Sequence, residues 1–279
     1  LAWCAASGLA GCASAPPPIA LPLPPKVARM PRLGIALGGG GTRGFAHVGV
    51  LKALESHQLA PSLIAGTSAG SVVGALYASG MTGFKLQETS FALDEARLKD
   101  LDLFGMSRGL VKGQKLQDYV NELVNQRTLD QLDKPFVAIA TDLDSGQRVI
   151  FARGNTGQAV RASCSIPGLF QPVVIAGKRY VDGGVVSPVP VDAVRQLGAD
   201  LVIAVDISAS VTNPMASSGV ADVLGRALVI MGQQLGAQEV ARADVLIRPH
   251  VSGMSSRDFE QKNQAILEGE KATEAAIPA

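Results

Sequence analysis

Short apolar runs alternate with helical patterns along the chain from Arg32 onward. The runs RLGIAL and PSLIAG have the length of buried strands, and the segments after them, GFAHVGVLKALESHQL and AGSVVGALYASG, carry apolar residues at helical spacing. The second of these helices is predicted to end at Gly80. Strands that alternate with helices in this way predict a layered α/β fold with a largely parallel sheet.

The same alternation continues toward the end of the chain. The middle of the chain after Gly80 is predicted to be helical, through GQKLQDYVNELVNQR. Two strands are then predicted around the Asp-Ser-Gly turn of KPFVAIATDLDSGQRVIFARG, and a hairpin in VVIAGKRYVDGG. Three later helices are predicted, over residues 190–197, from about 220 to 243 and near 257–275, separated by the strands ADLVIAVDIS and DVLIRP. No internal repeat is visible in this order.

Residues 1–31 differ in character from the rest. LAWCAASGLAGC is apolar but shorter than the roughly 20 residues that a membrane-spanning helix needs. We expect it to be the tail of a secretory signal whose start is missing, ending in the lipobox Leu9-Ala10-Gly11-Cys12, with Cys12 as the lipidated residue. The Pro-rich segment that follows is expected to be a semi-rigid tether. The alternative is an ordinary disordered leader with an accidental cysteine.

The residue after Cys12 bears on location. Ala13 is not the Asp that commonly retains lipoproteins at the inner membrane, so we expect a bacterial cell-envelope protein, anchored to the outer membrane and facing the periplasm. The remaining residues, 32–279, are expected to form the main domain.

Composition narrows the classes of function. The chain has 279 residues, of which 47% are hydrophobic and 18% charged, so it can bury a sizeable core. A net charge of +1, no run of Lys or Arg and only 4% aromatic residues argue against a nucleic-acid partner. Cys164 is the only cysteine of the main domain, so no disulfide framework is expected. No group of His, Cys and Asp has metal-ligand spacing, and no metal or cofactor is expected.

A serine between two glycines marks the end of the second strand. Gly66, Ser68 and Gly70 form a Gly-x-Ser-x-Gly sequence between a predicted strand and a predicted helix, as in a nucleophile elbow. Glycines at both flanks let the helix pack closely while the serine hydroxyl projects outward at the positive end of a helix. The pentapeptide alone is equally compatible with a plain turn of small residues.

The glycine-rich segment GGGGTRG, residues 38–44, also joins a strand to a helix. Consecutive glycines expose backbone N–H groups, as an oxyanion hole requires. A phosphate-binding P-loop would end in Gly-Lys-Ser/Thr, whereas this segment ends in Arg43-Gly44-Phe45. Gly39, Gly41 and Gly44 match the spacing of a dinucleotide fingerprint, but no acidic residue ends a second strand about 20 residues later.

Three motifs in order resemble a known family. GGGTRG, GTSAG and the Asp182-Gly183-Gly184 sequence are similar to the signature motifs of patatin-like phospholipases, and ASCSIPGLFQPV resembles the stretch before the third motif. The resemblance runs from about Leu33 to at least Val205. It implies a three-layer α/β/α fold with a mostly parallel central sheet, Ser68 as nucleophile and Asp182 as its catalytic partner.

The resemblance also implies roles for the surrounding motif residues. Gly39, Gly40 and Gly41 would supply the oxyanion donors, and Arg43 would chiefly brace the loop. Gly38 stands where plant members often carry Asp, which puts no catalytic role in doubt. The remaining motif positions would support the turns; they are Gly44, Gly66, Gly70, Gly183 and Gly184.

The implied activity is hydrolysis of fatty-acyl esters of phospholipids or other lipids through an acyl-enzyme. An apolar approach to the serine is expected from Ile166, Leu169, Phe170 and Val173. The expected partners are this lipid substrate and the membrane surface that holds the anchor. A non-catalytic lipid-binding or regulatory protein with the same fold is one alternative.

A Ser-His-Asp triad is the other alternative, because a carboxylate with a pKa near 3.9 is a weak base toward an alcohol. His47 and His57 lie on the first predicted helix and are expected to be packing or surface residues. His250, with Asp182 or Asp206 as the acid, would give the chain order of the α/β-hydrolases. The chain lacks the long run of strands that precedes the elbow in that fold.

Overall fold

Eight strands form one mixed sheet in the computed structural model, which describes residues 30–92, 111–209, 219–255 and 259–277. The strands are β1 Leu33–Leu37, β2 Leu63–Thr67, β3 Phe136–Asp142, β4 Arg148–Phe151, β5 Val173–Ile175, β6 Lys178–Asp182, β7 Leu201–Val205 and β8 Val245–Ile247. Cys12, with residues 1–29, lies outside the described residues.

The parallel part of the sheet is its larger part. Strands β3, β2, β1, β7 and β8 lie side by side in that order and are all parallel. Strands β4 and β6 pair antiparallel with β3, and β5 pairs antiparallel with β6. The largely parallel sheet predicted from the alternation of elements is therefore confirmed. Both predicted hairpins are present, one formed by β3 and β4 and the other by β5 and β6.

Helices cover both faces of the sheet. They are α1 Phe45–Ser56, α2 Ala69–Ala78, α3 Gly83–Ala92, α4 Gln114–Leu123, α5 Thr156–Ser163, α6 Val191–Gln196, α7 Val220–Val240 and α8 Lys262–Ala276. Within the described ranges, no helix is long and apolar enough to cross a membrane.

The alternation of side chains along the strands separates two cores. Ile35 and Leu37 of β1 point into the larger core, which also takes residues from α1 to α5 and from α8. Ala36 points to the opposite face, where it packs with residues of α6 and the end of α7. This arrangement confirms the predicted three layers.

Helix α5 was missed by the sequence patterns. Its eight residues, TGQAVRAS, are too few to show a clear helical period. The available signal was at its start, because the Asn155 side chain caps the helix by accepting a hydrogen bond from the Gln158 N–H at 2.7 Å. The other predicted helices are present, with ends shifted by a few residues.

Helices α1 and α8 cross in close contact at two glycines. A Cβ atom on Gly49 would lie 1.9 Å from the Ile266 carbonyl oxygen, and one on Gly269 would lie 2.0 Å from the Ala46 carbonyl oxygen. Both obstacles are backbone atoms, so neither can move aside without separating the helices.

We expect Gly49→Ala to lower the free energy of unfolding by about 1–3 kcal/mol, because the added methyl group overpacks this crossing. Gly232→Ala in α7 is the matched control, since no described atom lies within 4 Å of its Cβ position. That change should be neutral or stabilising by up to about 1 kcal/mol. Urea denaturation measures both, and equal effects would contradict the close crossing.

Candidate active site

Ser68 occupies a strained turn between β2 and α2. Its backbone has φ 52° and ψ −123°, in the left-handed half of conformational space that non-glycine residues rarely adopt. A Cβ on Gly66 would lie 2.3 Å from the Gly70 carbonyl oxygen, and one on Gly70 would lie 2.1 Å from the Leu37 carbonyl oxygen. Neither position has room for a side chain, so both must be glycine. The turn has the strand–turn–helix form predicted for a nucleophile elbow.

Strand register brings Asp182 beside this turn. Thr67, which precedes the serine, pairs with Ile139 of β3, and the next residue of β3, Ala140, pairs with Asp182 of β6. The Thr141 hydroxyl also donates to the Asp182 carbonyl oxygen at 2.9 Å. Antiparallel pairing of β6 therefore places a carboxyl group near the carboxyl end of β2, where the serine lies.

The Asp182 side chain is buried, and hydrogen bonds compensate only part of the cost of removing its carboxyl from water. Its Oδ1 accepts a hydrogen bond from the Gly184 N–H at 2.7 Å. Burial raises the pKa of this carboxyl from 3.8 to about 6, while the nearby Ser68 hydroxyl and the Gly184 N–H oppose the rise. The Ser68 hydroxyl is near enough to affect the pKa of Asp182, but Oδ2 of the carboxyl is buried with no hydrogen-bond partner among the described residues.

The stretch ASCSIPGLFQPV connects the two groups. The Ser68 N–H donates to the Ser163 hydroxyl at 2.9 Å, and the Asp182 N–H donates to the Ser165 carbonyl oxygen at 2.9 Å. Cys164 lies between these residues, and burial raises the pKa of its thiol above the ordinary range. The contact between Ser68 and Ser163 joins residues 95 positions apart in the chain, so local sequence patterns could not predict it.

The glycine-rich segment lies beside the serine. Gly39 is adjacent to Ser68, since a Cβ on Gly39 would lie 3.3 Å from the Ser68 Cβ. The Gly38 N–H donates to the Val205 carbonyl oxygen and the Gly39 N–H donates to the Pro188 carbonyl oxygen, each at 3.0 Å. Gly40 and Gly41 precede or begin a short 3-10 helix, and their N–H groups donate to no acceptor in the described part of the chain.

This arrangement corrects the expectation for Gly39. Its N–H group was expected to be an oxyanion donor, but it is already bound to Pro188, which fixes the position of the loop. The N–H groups of Gly40 and Gly41 remain as the candidate donors.

The side chains of Thr42 and Arg43 attach the glycine-rich segment to residues 254 and 255. Arg43 is buried and donates from Nη1 to the Met254 carbonyl oxygen at 3.4 Å, and the Thr42 hydroxyl donates to the Ser255 carbonyl oxygen at 2.8 Å. Burial lowers the pKa of Arg43 to about 10, opposed by the charge of Asp206, so the guanidinium stays protonated at neutral pH. These contacts attach the segment to residues 254 and 255, and the bracing role expected for Arg43 stays a prediction.

None of the three histidines is placed as the base of a Ser-His-Asp triad in the described structure. His47 is fully buried, its Nε2 lies 2.8 Å from the Gly38 carbonyl oxygen, and burial lowers its pKa to about 4, so it is neutral at pH 7. His57 is exposed and contacts Glu274, while His250 is exposed. Within the described ranges, no histidine is hydrogen-bonded to Ser68 or Asp182.

Asp206, the other acid considered for a triad, is also engaged elsewhere. Its carboxylate accepts hydrogen bonds from the Arg248 guanidinium at 2.9 and 3.0 Å and from the Ser208 N–H at 3.0 Å. It therefore forms an ion pair at the end of β7 and does not orient a histidine toward the serine.

An apolar cavity opens beside Ser68. It holds about 850 Å³ of empty space, part of which is open to solvent. Along α2, Ala69, Val72, Val73 and Leu76 line it at helical spacing. Other walls come from α1, α3 and α4, and Ile166 and Cys164 complete the lining near the serine.

The expected apolar approach is correct for Ile166 only. Residues 169–171 pair with Val111, whose N–H donates to the Leu169 carbonyl oxygen at 3.0 Å, and this pairing carries Leu169 and Phe170 away from the cavity. Val173 is buried in a separate small core cluster with Tyr180.

Comparison with known proteins decides the family. Residues 35–195 match the family model described as patatin-like phospholipase. The chain belongs to the patatin-like phospholipase family. The family resemblance predicted from the three motifs is thereby confirmed.

Patatin-like relatives occur in bacteria and animals. An uncharacterised NTE family protein of Mycobacterium tuberculosis is 37% identical over 184 residues, which cover 66% of this chain and 51% of that protein. The human patatin-like phospholipase domain-containing protein 6 is 30% identical over 193 residues, covering 67% of this chain and 14% of that protein. The chain thus spans about half the length of the mycobacterial relatives it matches.

Two solved structures share the fold. VipD from Legionella pneumophila aligns with a TM-score of 0.52 and 14% identity, covering 90% of this chain and 67% of that one. ExoU of Pseudomonas aeruginosa, in its complex with SpcU, aligns with a TM-score of 0.54 and 18% identity, covering 90% of this chain and 52% of that one. These likenesses support the patatin fold.

No metal site is evident at this patatin-like centre. Among the described residues, no group of three or more His, Cys, Asp or Glu side chains is placed to hold a metal ion. The polar groups that the described residues bring to the site are the Ser68 hydroxyl, the buried Asp182 carboxyl and backbone N–H groups.

The raised pKa of Asp182 predicts a measurable effect on stability. Because the folded state holds this proton more tightly than the unfolded chain, ionisation at pH 7 costs the fold about 3 kcal/mol for a shift of this size. The cost is absent below the unfolded pKa near 3.8 and fully present above about pH 6.

We therefore expect Asp182→Asn to raise the free energy of unfolding by about 1–3 kcal/mol at pH 7 and to change it little near pH 4. Denaturant unfolding at both pH values measures the effect. Asp118→Asn, on the exposed face of α4, is the control and should stay within about 0.5 kcal/mol of wild type. Destabilisation by Asp182→Asn at pH 7 would show that the carboxylate is not desolvated in this way.

Proposed function

We propose that this chain is a serine acyl hydrolase that cleaves fatty-acyl esters of phospholipids or other lipids. The main support for this proposal is that three features lie together at Ser68. The Ser68 hydroxyl lies at a strained elbow, the Asp182 carboxyl beside it has a pKa of about 6, and an apolar cavity opens at the serine. Family membership supports lipid hydrolysis as the class of reaction.

The first half of the reaction forms an acyl-enzyme. Asp182 accepts the proton of the Ser68 hydroxyl as the serine oxygen attacks the ester carbonyl carbon. The N–H groups of Gly40 and Gly41, together with the N-terminus of α2, stabilise the negative charge on the carbonyl oxygen. The bond to the leaving alcohol then breaks, and the alcohol takes the proton from Asp182.

The second half releases the fatty acid. Asp182 accepts a proton from a water molecule that attacks the acyl carbon, and the proton returns to the Ser68 oxygen as the acyl group leaves. A carboxylate with a pKa of about 6 is a stronger base than an ordinary aspartate, so burial of Asp182 eases both proton transfers.

The cavity supports an acyl chain as the group bound next to Ser68. Its walls on α1 to α4 are almost entirely apolar, as in Val48, Val73, Leu86 and Leu116. Burying an apolar chain there is favourable, whereas a charged head group would lose its hydration without gaining partners. We therefore place the head group outside the cavity, on the solvent side of Ser68.

Two substitutions test the dyad. Ser68→Ala and Asp182→Asn should each abolish nearly all release of fatty acid from phospholipid vesicles, with a loss on the order of 10⁴-fold, and both proteins should stay folded. A fluorophosphonate probe should label Ser68 of the wild-type protein, as peptide mapping would show. His57→Ala and His250→Ala serve as controls and should stay within a few-fold of wild type.

The outcomes separate the alternatives. A folded His250→Ala protein with almost no activity would refute the dyad in favour of a Ser-His-Asp triad. A wild-type protein that neither reacts with the probe nor releases fatty acid, but binds lipid vesicles, would indicate a non-catalytic lipid-binding protein. His47→Ala is not a clean control, because it also removes the contact with Gly38.

We also propose lipidation of Cys12, which would hold the domain at a bacterial outer membrane. Two or more acyl chains give stable anchoring, whereas one is marginal. When the protein is expressed with its full natural leader, Cys12→Ser should move it from the membrane fraction to the soluble fraction. Ser7→Ala, a change in the same segment outside the lipobox, is the control and should not affect fractionation. A Cys12→Ser protein that stays with the membrane would show that the lipobox assignment is wrong.

A further inference from the structure

Glu239 is a buried carboxylate on a helix that lies largely at the surface. Glu239 is 5% exposed, whereas Val223 and Leu224 of the same helix, α7, are more than half exposed. Burying a charged group is costly unless its hydrogen bonds are satisfied. The reaction proposed above does not use this carboxylate, so its place in the fold calls for another explanation.

Both carboxylate oxygens bind one short segment. The Ser187 hydroxyl donates to Oε1 at 2.5 Å, and the Val189 N–H donates to Oε2 at 2.8 Å. We call residues 187–189 the clamp segment. Glu239 thus holds the clamp segment from both sides of Pro188.

The clamp segment contacts all three motifs of the site. The Thr67 hydroxyl, next to Ser68, donates to the Ser187 carbonyl oxygen at 2.8 Å. The Gly39 N–H donates to the Pro188 carbonyl oxygen at 3.0 Å. The Ser187 N–H donates to the carbonyl oxygen of Gly183, the residue after Asp182, at 2.8 Å. One segment therefore connects the nucleophile elbow, the glycine-rich loop and the turn that carries the aspartate.

We propose that Glu239 is a positioning residue, which fixes the clamp segment and through it the alignment of the glycine-rich loop with Ser68. The inference rests on the proposed hydrolase function of Ser68. Glu239 itself touches neither substrate nor the reacting atoms.

Loss of the carboxylate would leave two buried donors without an acceptor, the Ser187 hydroxyl and the Val189 N–H. We expect the clamp segment to shift so that these donors bind other acceptors, and Gly39 to shift with it through its hydrogen bond to Pro188. A displacement of about 1 Å at a reacting centre costs on the order of 100-fold in rate. We therefore expect the effect on turnover to exceed the effect on substrate binding.

The test compares Glu239→Ala with Glu239→Gln. The amide of Gln can accept from the Val189 N–H and donate to the Ser187 oxygen, so Glu239→Gln should keep kcat within a few-fold of wild type. Glu239→Ala should lower kcat by about 10- to 100-fold with little change in KM. Gln238→Ala, the neighbouring residue on α7, is the matched control and should have no effect.

The concentration of active sites separates positioning from simple loss of folding. Titration with a fluorophosphonate counts the folded, reactive molecules, and kcat is then expressed per labelled Ser68. A merely structural role predicts fewer labelled molecules with a normal kcat for each, and that result would overturn the proposal. If Glu239→Ala does not fold, Ser187→Ala decides: a loss of about tenfold in kcat per site supports the clamp, and an unchanged kcat refutes it.

Different results would refute the positioning role of Glu239 and the proposed hydrolase function. If Ser68→Ala is inactive while Glu239→Ala and Ser187→Ala keep the kcat of wild type, the hydrolase function stands and the positioning role is wrong. If the wild-type protein shows neither hydrolysis nor labelling, the hydrolase function itself is refuted, and the role of Glu239 with it.

Discussion

The backbone of Ser68 is the constraint on which the rest of the site depends. A non-glycine residue with φ 52° and ψ −123° costs of order 1–3 kcal/mol, and it persists only where its surroundings leave no alternative. Gly66 and Gly70 meet neighbouring backbone with no room for a side chain, and the Ser163 hydroxyl accepts from the strained N–H. Close packing at the carboxyl edge of the sheet thus holds the hydroxyl where a substrate can reach it.

The buried carboxyl of Asp182 adds a second cost to the same place. Desolvation makes the charged form unfavourable, and the resulting pKa near 6 gives the carboxylate more basic strength than an exposed aspartate has. Under the proposed function, the burial of Asp182 would therefore lower stability while it raises the basicity of the carboxylate. The surrounding hydrogen bonds from Thr141, Gly184 and the clamp segment hold the turn in spite of that cost.

Local patterns predicted the elements and the motifs, because apolar spacing and glycine turns are properties of short segments. The order of the strands in the sheet and the lining of the cavity depend on contacts between distant segments, so local patterns did not predict the strand order and were wrong about Leu169, Phe170 and Val173. Helix α5 was missed because it is short. Gly39 illustrates the limit: its motif position indicated an oxyanion donor, but only the fold shows that Pro188 occupies its N–H. Glu239 carries no motif, so nothing in its local sequence pointed to the site.

The pH dependence of labelling at Ser68 is the most direct measure of whether Asp182 activates the serine. His47 is neutral at pH 7, and neither of the other histidines is hydrogen-bonded to Ser68 or Asp182. Among the described groups near Ser68, only the Asp182 carboxyl has a pKa near 6. The second-order rate of fluorophosphonate labelling should rise through about pH 6 in the wild-type protein and be nearly absent at every pH in Asp182→Asn. A labelling rate that rises in the same way in Asp182→Asn would contradict the dyad.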